Sequence, residues 1–166
     1  IEQFRTAYHL EGVLDPAVRR SAMSWKAGCF ICYMGRRWVP TARTNGIVVL
    51  WPPHGSQNVF RGFNPSGERP MPIPGGEDDY TRSIGQVIFA RVEGPGPYSL
   101  EVRAGKRLIR GHVTTPARPI AKAEKNDYLV MLTPKEHLPD KTWFTATLTL
   151  GEGEDVIRRV WRFRTR

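Results

Sequence analysis

The sequence predicts a mainly β protein in which antiparallel strands form a sandwich. Its 166 residues include 16 Gly and 14 Pro, too many for a helical bundle because both residue types interrupt helix interiors. Residues 142–150 alternate apolar side chains with threonines, which is the period of a strand with one buried face. Turn signals recur at regular intervals through the second half of the chain. These features favour about seven short strands in a sandwich over residues 47–166.

A short helix is predicted near the amino end, within a region of residues 1–46 that precedes the sandwich. Asp15-Pro16 is a helix start signal, because Asp can cap and Pro fits the first turn. Val18, Ala22 and Trp25 then follow at spacings of four and three, which places them on one helical face.

A β-hairpin is predicted after this helix. Residues 28–34 are apolar and partly aromatic, and Gly35-Arg36 is a plausible tight turn. Trp38-Val39 begins a return strand, which Pro40 limits to a sheet edge or to the end of a strand. The region 1–46 buries too little to fold alone, so we expect it to pack on the sandwich or on another chain.

The sandwich is predicted to begin with a strand at 47–51, which stops at Pro52-Pro53. Residues 52–80 are rich in Pro and Gly and read as a long surface connection with a role of its own. Turn-forming residues separate the later segments. These further strands are predicted at 86–92, 98–103, 107–114, 128–132, 142–150 and 156–164.

The predicted core follows from the alternation in these strands. Apolar residues two apart share one face of a strand, and that face is the buried one. The predicted core residues are Val48, Leu50, Val87, Phe89, Leu100, Val102, Leu129, Met131, Phe144, Ala146, Leu148, Trp161 and Phe163.

Charge and hydropathy exclude a membrane-spanning chain and indicate an acidic partner. Lys and Arg number 25 against 16 Asp and Glu, for a net charge of +9. The longest apolar run, 47–51, is far shorter than the roughly 20 residues of a membrane span.

The first 15 residues contain no apolar core of a signal peptide, although they are compatible with a signal peptide that was removed upstream. The presence of two cysteines is compatible with an oxidising compartment and with a reducing one.

Two clusters of basic residues are the first candidates for binding. One lies at the carboxyl end, where alternate arginines share a strand face, and the other spans a predicted hairpin that also contains Arg103 and Lys106. Nucleic acid is the alternative partner, but Trp161 and Phe163 alternate with the arginines and so face the core rather than stacking on bases. The basic candidates are Arg158, Arg162, Arg164 and Arg166 in the first cluster, and Arg107 and Arg110 in the second.

Exposed apolar residues also point to a protein partner. Trp25, Trp38, Trp51 and the segment 71–74 are unlikely to fit inside one small sandwich. Within that segment, Met71 and Ile73 are the candidate contact residues.

Cys29 and Cys32 form a C-x-x-C, for which three interpretations stay open. The pair is either plain buried cysteines or a local disulfide, a metal site with two of the four histidines, or a redox pair. The strand-like surroundings favour the first, because residues i and i+3 of a strand point to opposite faces.

No catalytic or cofactor motif is present in the sequence. His9, His54, His112 and His137 are scattered, and no Ser/His/Asp, H-E-x-x-H or paired-carboxylate pattern accompanies them. We therefore expect no enzyme activity, no cofactor and no metal.

Several segments resemble one family in their order along the chain. Residues 48–59 (VVLWPPHGSQNV) are similar to a strand followed by a Pro-x-x-Gly turn, and 67–72 (GERPMP) to G-E-x-P-x-P. The segments 132–134, 142–147 and 160–165 are similar to L-x-P, Y-x-v-x-v and W-x-F-x-T. This set resembles the immunoglobulin-like (Ig-like) C-terminal module of secreted bacterial proteins that carry an upstream CAP (cysteine-rich secretory, SCP-like) domain.

The amino-terminal region resembles part of the CAP domain itself. Tyr8-His9 and 13–16 are similar to its late H-R-x-x-L-L-x-P segment, although Leu10 stands where the family has Arg. The resemblance implies an Ig-like topology for 47–166, a CAP remnant or docking arm in 1–46, and a cleft-type position at His9. It also implies a location outside the cell or in the cell envelope of a bacterium.

The sequence thus predicts a non-catalytic structural or binding module of an exported bacterial protein. The module would present the loop 52–80 and a basic face to an acidic partner or a neighbouring subunit. One alternative is an accessory subunit of a large assembly, with residues 1–46 docked on a neighbour. Others are a nucleic-acid-binding protein and a redox or metal protein that uses the C-x-x-C.

Overall fold

The protein is mainly β, with antiparallel sheets throughout. A computed structural model describes residues 18–26, 29–36, 46–65, 73, 83–93, 96–120 and 128–166, and for 18–26, 29–36, 47 and 48 it describes the backbone alone. The strands are β1 (Val18–Lys26), β2 (Cys29–Arg36), β3 (Gly46–Trp51), β4 (Gly62–Phe63), β5 (Ile84–Gly85), β6 (Ile88–Glu93), β7 (Tyr98–Ala104), β8 (Arg107–Leu108), β9 (Gly111–Thr114), β10 (Leu129–Pro134), β11 (Trp143–Leu150) and β12 (Ile157–Arg164). One turn of 3₁₀ helix, Gly153–Asp155, precedes β12.

The helix predicted over 15–25 is wrong for the part of it that the structure describes. Residues 18–26 form β1, which pairs with β2 in an antiparallel hairpin whose register sets Trp25 opposite Phe30. The apolar residues Val18, Ala22 and Trp25 fit a helical spacing, but pairing with the apolar strand that follows overrides so weak a preference.

A hairpin is present in this region, but its strands are not the two that were predicted to pair. β2 pairs with the segment before it, β1, and the residues proposed as a tight turn, Gly35-Arg36, belong to β2 itself. The helix start Asp15-Pro16 and the return strand Trp38-Val39 lie outside the described residues.

The sandwich consists of two four-stranded antiparallel sheets. The first has the order β3–β6–β10–β9 and the second β12–β11–β7–β8. In the lettering of immunoglobulin domains these orders correspond to A-B-E-D and G-F-C with a short fourth strand after C. The predicted fold class, a mainly β protein with an antiparallel β-sandwich, is therefore confirmed.

The strand predicted at 107–114 is two strands on different sheets. β8 pairs with β7 across a turn at Gly105, which takes the positive φ of 58° that glycine tolerates. β9 pairs instead with β10. The break at Ile109-Arg110 is where the chain crosses from one sheet to the other, as the C-to-D connection of such a sandwich requires.

The interior of the sandwich is closed by residues from both sheets. Phe144, Leu148, Trp161 and Phe163 from the second sheet pack with alternate residues of β6 and β10. Eleven of the 13 predicted core residues are buried; Leu50 is half-buried against this core, and Val48 lies where only the backbone is described.

A second apolar cluster covers the other face of the first sheet. Val87, Phe89, Leu129 and Met131 belong to this cluster and not to the sandwich interior. Both faces of the sheet are thus covered, which explains why all six residues of β10 are buried. Phe63 and Ile84, with Trp51, Ile73 and Ile120 partly buried beside them, form the cover.

Candidate binding surface

The outer face of the β12–β11–β7–β8 sheet is exposed and basic. Inward residues such as Phe144 and Trp161 are buried, so alternate residues of the same strands point outward. On the central strand β11 the outward residues are mostly half-exposed threonines, and on β12 they are mostly arginines. We call this surface the arginine–threonine face and define it by Glu101, Arg103, Trp143, Thr145, Thr147, Thr149, Arg158, Val160, Arg162 and Arg164.

The register places hydroxyl and guanidinium groups in cross-strand rows. Thr145 lies between Arg162 on β12 and Arg103 on β7, and Thr149 lies beside Arg158. Neighbouring strands are about 4.8 Å apart, so the side chains of one row approach a common ligand together. Guanidinium groups donate only and hydroxyls can donate, so the rows suit carboxylate or phosphate oxygens.

An exposed aromatic residue lies within the same face. The guanidinium carbon of Arg162 is 5.1 Å from the ring centroid of Trp143, a cation–π contact that holds the charge over the sheet. Trp143 is 39% exposed and Val160 is 47% exposed. Arginine beside exposed aromatic and aliphatic surface is the composition enriched at protein–protein interfaces.

The face keeps most of its positive charge. Its one carboxylate, Glu101, pairs with Arg103 at 2.8 Å between Nη2 and Oε2, and both side chains are about half exposed. Such surface pairs contribute little to stability. Among the described residues, Arg158, Arg162 and Arg164 form no ion pair. Arg158 and Arg162 therefore remain available to anionic groups of a partner, whereas Nε of the half-buried Arg164 donates to the carbonyl of Lys141 at 3.3 Å.

The start of the predicted surface loop 52–80 is fixed along the edge of β12. The backbone N–H of Gly55 donates to the carbonyl of Arg162 at 2.7 Å, and that of Arg164 donates to Ser56 at 2.8 Å. Val59 continues the contact through a parallel bridge to Thr165. This part of the loop holds the strand that carries the arginines.

The last candidate arginine, Arg166, lies beyond the end of β12. Its guanidinium carbon is 4.1 Å from the ring centroid of Phe60, and its backbone N–H donates to Val59. Arg166 thus packs on the covering loop.

The second basic cluster occupies a pocket at the far edge of the same sheet. β8 is three strands away from β12, about 14 Å at the usual strand spacing. Arg107 and Arg110 line a cavity of about 620 Å³ together with Lys135, Glu136 and His137. The sequence prediction missed the contribution of 135–139, because these residues are adjacent to 107–110 only in the folded chain.

The other predicted contact and cleft residues are placed as follows. Ile73 is half-buried and packs against the second apolar cluster, so only part of its side chain is accessible. Cys29 and Cys32 both lie in β2, opposite Lys26 and Met23 in the register. Met71 and His9 lie outside the described residues.

The described histidines have separate surroundings. His54 Nδ1 accepts a hydrogen bond from the backbone N–H of Arg162 at 3.3 Å. His137 Nε2 is hydrogen-bonded to the hydroxyl of Ser83, a pair that sequence reasoning missed. Desolvation by burial lowers the pKa of His112 below its ordinary value of 6.5. Within the described part of the chain, no three His, Cys, Asp or Glu residues are grouped as a metal site would require.

Comparison of the chain with protein-family models, curated proteins and solved structures found no match. The kinship with CAP-associated modules therefore stays a prediction. Over the residues that the structure describes, no helix has the length and apolar character needed to cross a membrane.

Proposed function

We propose that this chain is a non-catalytic binding module whose arginine–threonine face binds an acidic protein partner. The observation that carries the proposal is the cross-strand array in which Arg158 lies beside Thr149, Arg162 beside Thr145 and Arg164 beside Trp143. Among the described residues, none of these arginines forms an ion pair. Charge of one sign on a flat, accessible sheet attracts a partner of the opposite sign and orients it on approach.

The composition of the face favours a protein over a nucleic acid. Trp143 is the single aromatic residue of the face, and the guanidinium group of Arg162 already lies over its ring. Trp161 and Phe163, which alternate with the arginines, are 1% and 0% exposed and cannot stack on bases. Single-stranded nucleic-acid sites instead use several aromatic platforms along a basic groove.

Binding of poly-L-glutamate to the full chain would test the proposal. Arg158→Glu reverses one charge of the face, and we expect it to weaken binding roughly tenfold, because one charge-assisted hydrogen bond contributes on the order of 1.5 kcal/mol. Arg118→Glu is the matched control, since Arg118 is exposed in a turn outside the face. We expect the control to bind nearly as tightly as the unmodified chain.

Two results would contradict the proposal. Equal losses in Arg158→Glu and Arg118→Glu would mean that only net charge matters. Tighter binding of a single-stranded oligonucleotide than of poly-L-glutamate, at the same ionic strength, would favour nucleic acid as the partner.

The location outside the cell or in the cell envelope of a bacterium belongs to the same proposal. It is supported by the resemblance of 47–166 to the Ig-like modules of secreted CAP proteins, together with the Ig-like strand order. An accessory role in a larger assembly is compatible with the same face.

A further inference from the structure

A second site is built at the β8 edge of the sandwich, from residues that do not belong to the arginine–threonine face. Two chain segments form its walls: residues 107–110, which connect the two sheets, and residues 135–139, which follow β10. The cavity between them has a volume of about 620 Å³, which is enough for a small ligand.

Backbone hydrogen bonds join these walls to each other and to the body of the sandwich. The N–H of Lys135 donates to the carbonyl of Arg110 at 3.2 Å, which ties one wall to the other. The N–H of Leu138 donates to the carbonyl of Arg61 at 2.8 Å, and Nε of Arg61 donates back to the carbonyl of Leu138 at 2.9 Å. The pocket is therefore formed before any ligand arrives, which lowers the entropy cost of binding.

The ribbon β4–β5 supports the second wall from behind. The hydroxyl of Ser83 is hydrogen-bonded to His137. A side chain at Gly85 would place its Cβ only 2.4 Å from the carbonyl oxygen of Glu136, so the close approach of loop and ribbon requires glycine there.

Positive charge predominates on the walls. Arg107, Arg110 and Lys135 face one carboxylate, that of Glu136, and among the described residues the three cations form no ion pair. The buried Leu138 and the half-buried Ile109 contribute apolar surface to the lining. Arg107, Arg110 and Lys135 are exposed to solvent, and several cations of one sign along a cleft raise the local concentration of anions.

We propose that this pocket binds a tetrahedral dianion, phosphate or sulfate, through Arg107, Arg110 and Lys135. Three cations from two facing segments suit an anion that presents oxygens in several directions, whereas a carboxylate presents only two oxygens in one plane. This site goes beyond the proposed function, since none of its residues belongs to the arginine–threonine face.

Calorimetric titration of the full chain with sodium phosphate would test the site, with sodium chloride holding the ionic strength constant. We expect saturable binding of one phosphate, weakened about tenfold or more in Arg110→Gln and in Lys135→Gln. Lys106→Gln is the matched control: it removes one positive charge from the turn beside the pocket, and binding should stay within about twofold of the unmodified chain.

The variant Glu136→Gln distinguishes a direct effect on the pocket from a loss of binding through misfolding. It removes the one opposing charge and is expected to tighten phosphate binding several-fold, a gain that a damaged fold cannot give. Arg158→Glu should leave phosphate binding unchanged, which separates this site from the arginine–threonine face. Equal binding of acetate and phosphate, an unchanged affinity in Arg110→Gln, or a loss in Glu136→Gln would overturn the assignment.

Discussion

Phe144 and Phe163 stack directly opposite each other across β11 and β12, with ring centroids 5.2 Å apart and planes inclined by 15°. Both rings are fully buried in the interior of the sandwich. The pair joins the two strands that present the arginines and threonines on their other face. The packing of the core therefore fixes the geometry of the candidate binding surface.

Removing either ring should strongly destabilise the protein. We expect Phe144→Ala or Phe163→Ala to lower the free energy of unfolding by about 3–5 kcal/mol, measured by urea denaturation. A double-mutant cycle should give a coupling of about 0.5–1.5 kcal/mol for the stacked pair. Thr147→Ala, on the exposed face of β11, should cost about 1 kcal/mol or less. A cost as small as that of Thr147→Ala in both Phe variants would contradict the proposed core.

The strands of the sandwich could be predicted because their alternation reports burial directly. In β11 the inward residues Phe144 and Leu148 alternate with threonines, and β12 ends with inward Trp161 and Phe163. Because one face of this sheet is exposed to water, apolar and polar residues alternate along its strands, and this period of two is visible in the sequence.

The assignment of residues to one interior was only partly correct for the first sheet. Phe89 and Met131 were predicted as part of the sandwich core, and they are buried, but in the second cluster. Their neighbours Ile88 and Val130 face the sandwich interior instead. A continuous apolar run gives no alternation, so the sequence does not reveal which residue faces which side.

The candidate sites depend on contacts between distant segments, and only part of them could be predicted. The arginines of β12 were identified because they alternate along one strand. Of the cations that line the pocket, the sequence pointed only to Arg107 and Arg110. Lys135 is distant from them along the chain and comes beside them only in the fold, where its backbone N–H donates to the carbonyl of Arg110. The N-terminal helix prediction was wrong for 18–26 because three apolar residues at helical spacing are a weak signal, and pairing with β2 overrides it.

Two buried threonines should respond in opposite directions to the same substitution. The hydroxyl of Thr133 is buried and has no hydrogen-bond partner among the described residues. The hydroxyl of Thr165, also buried, donates to the carbonyl of Pro139 at 2.7 Å and accepts from the N–H of Thr142 at 3.0 Å. Valine has nearly the same shape as threonine but no hydroxyl.

We therefore expect Thr133→Val to raise the free energy of unfolding by about 1 kcal/mol, since it removes an unsatisfied polar group. Thr165→Val should lower it by about 1–3 kcal/mol, because the N–H of Thr142 loses its side-chain acceptor. Thermal or urea unfolding of the two variants measures both changes. Changes of the same sign in both variants would contradict the hydrogen-bonding assignments.

Acidification should destabilise the protein partly through His112 in β9. Burial lowers the pKa of His112 in the folded state below 6.5, so the unfolded chain binds the proton first. Well above pH 6.5 the imidazole is neutral in both the folded and the unfolded chain, so its titration does not reduce the free energy of unfolding. As the pH falls from 6.5 through the folded-state pKa, the unfolded chain gains the proton more readily, and the free energy of unfolding decreases.

Urea unfolding of the chain and of His112→Gln between pH 7.5 and pH 5 measures this contribution. We expect the unfolding free energy of His112→Gln to fall less steeply below pH 6.5, because glutamine does not titrate. Thr133→Val is the control: Thr133 lies opposite His112 in the register, and its substitution changes stability without removing a titrating group. It should therefore shift the stability by a similar amount at every pH. A slope as steep in His112→Gln as in the unmodified chain would mean that other groups, and not His112, cause the acid sensitivity.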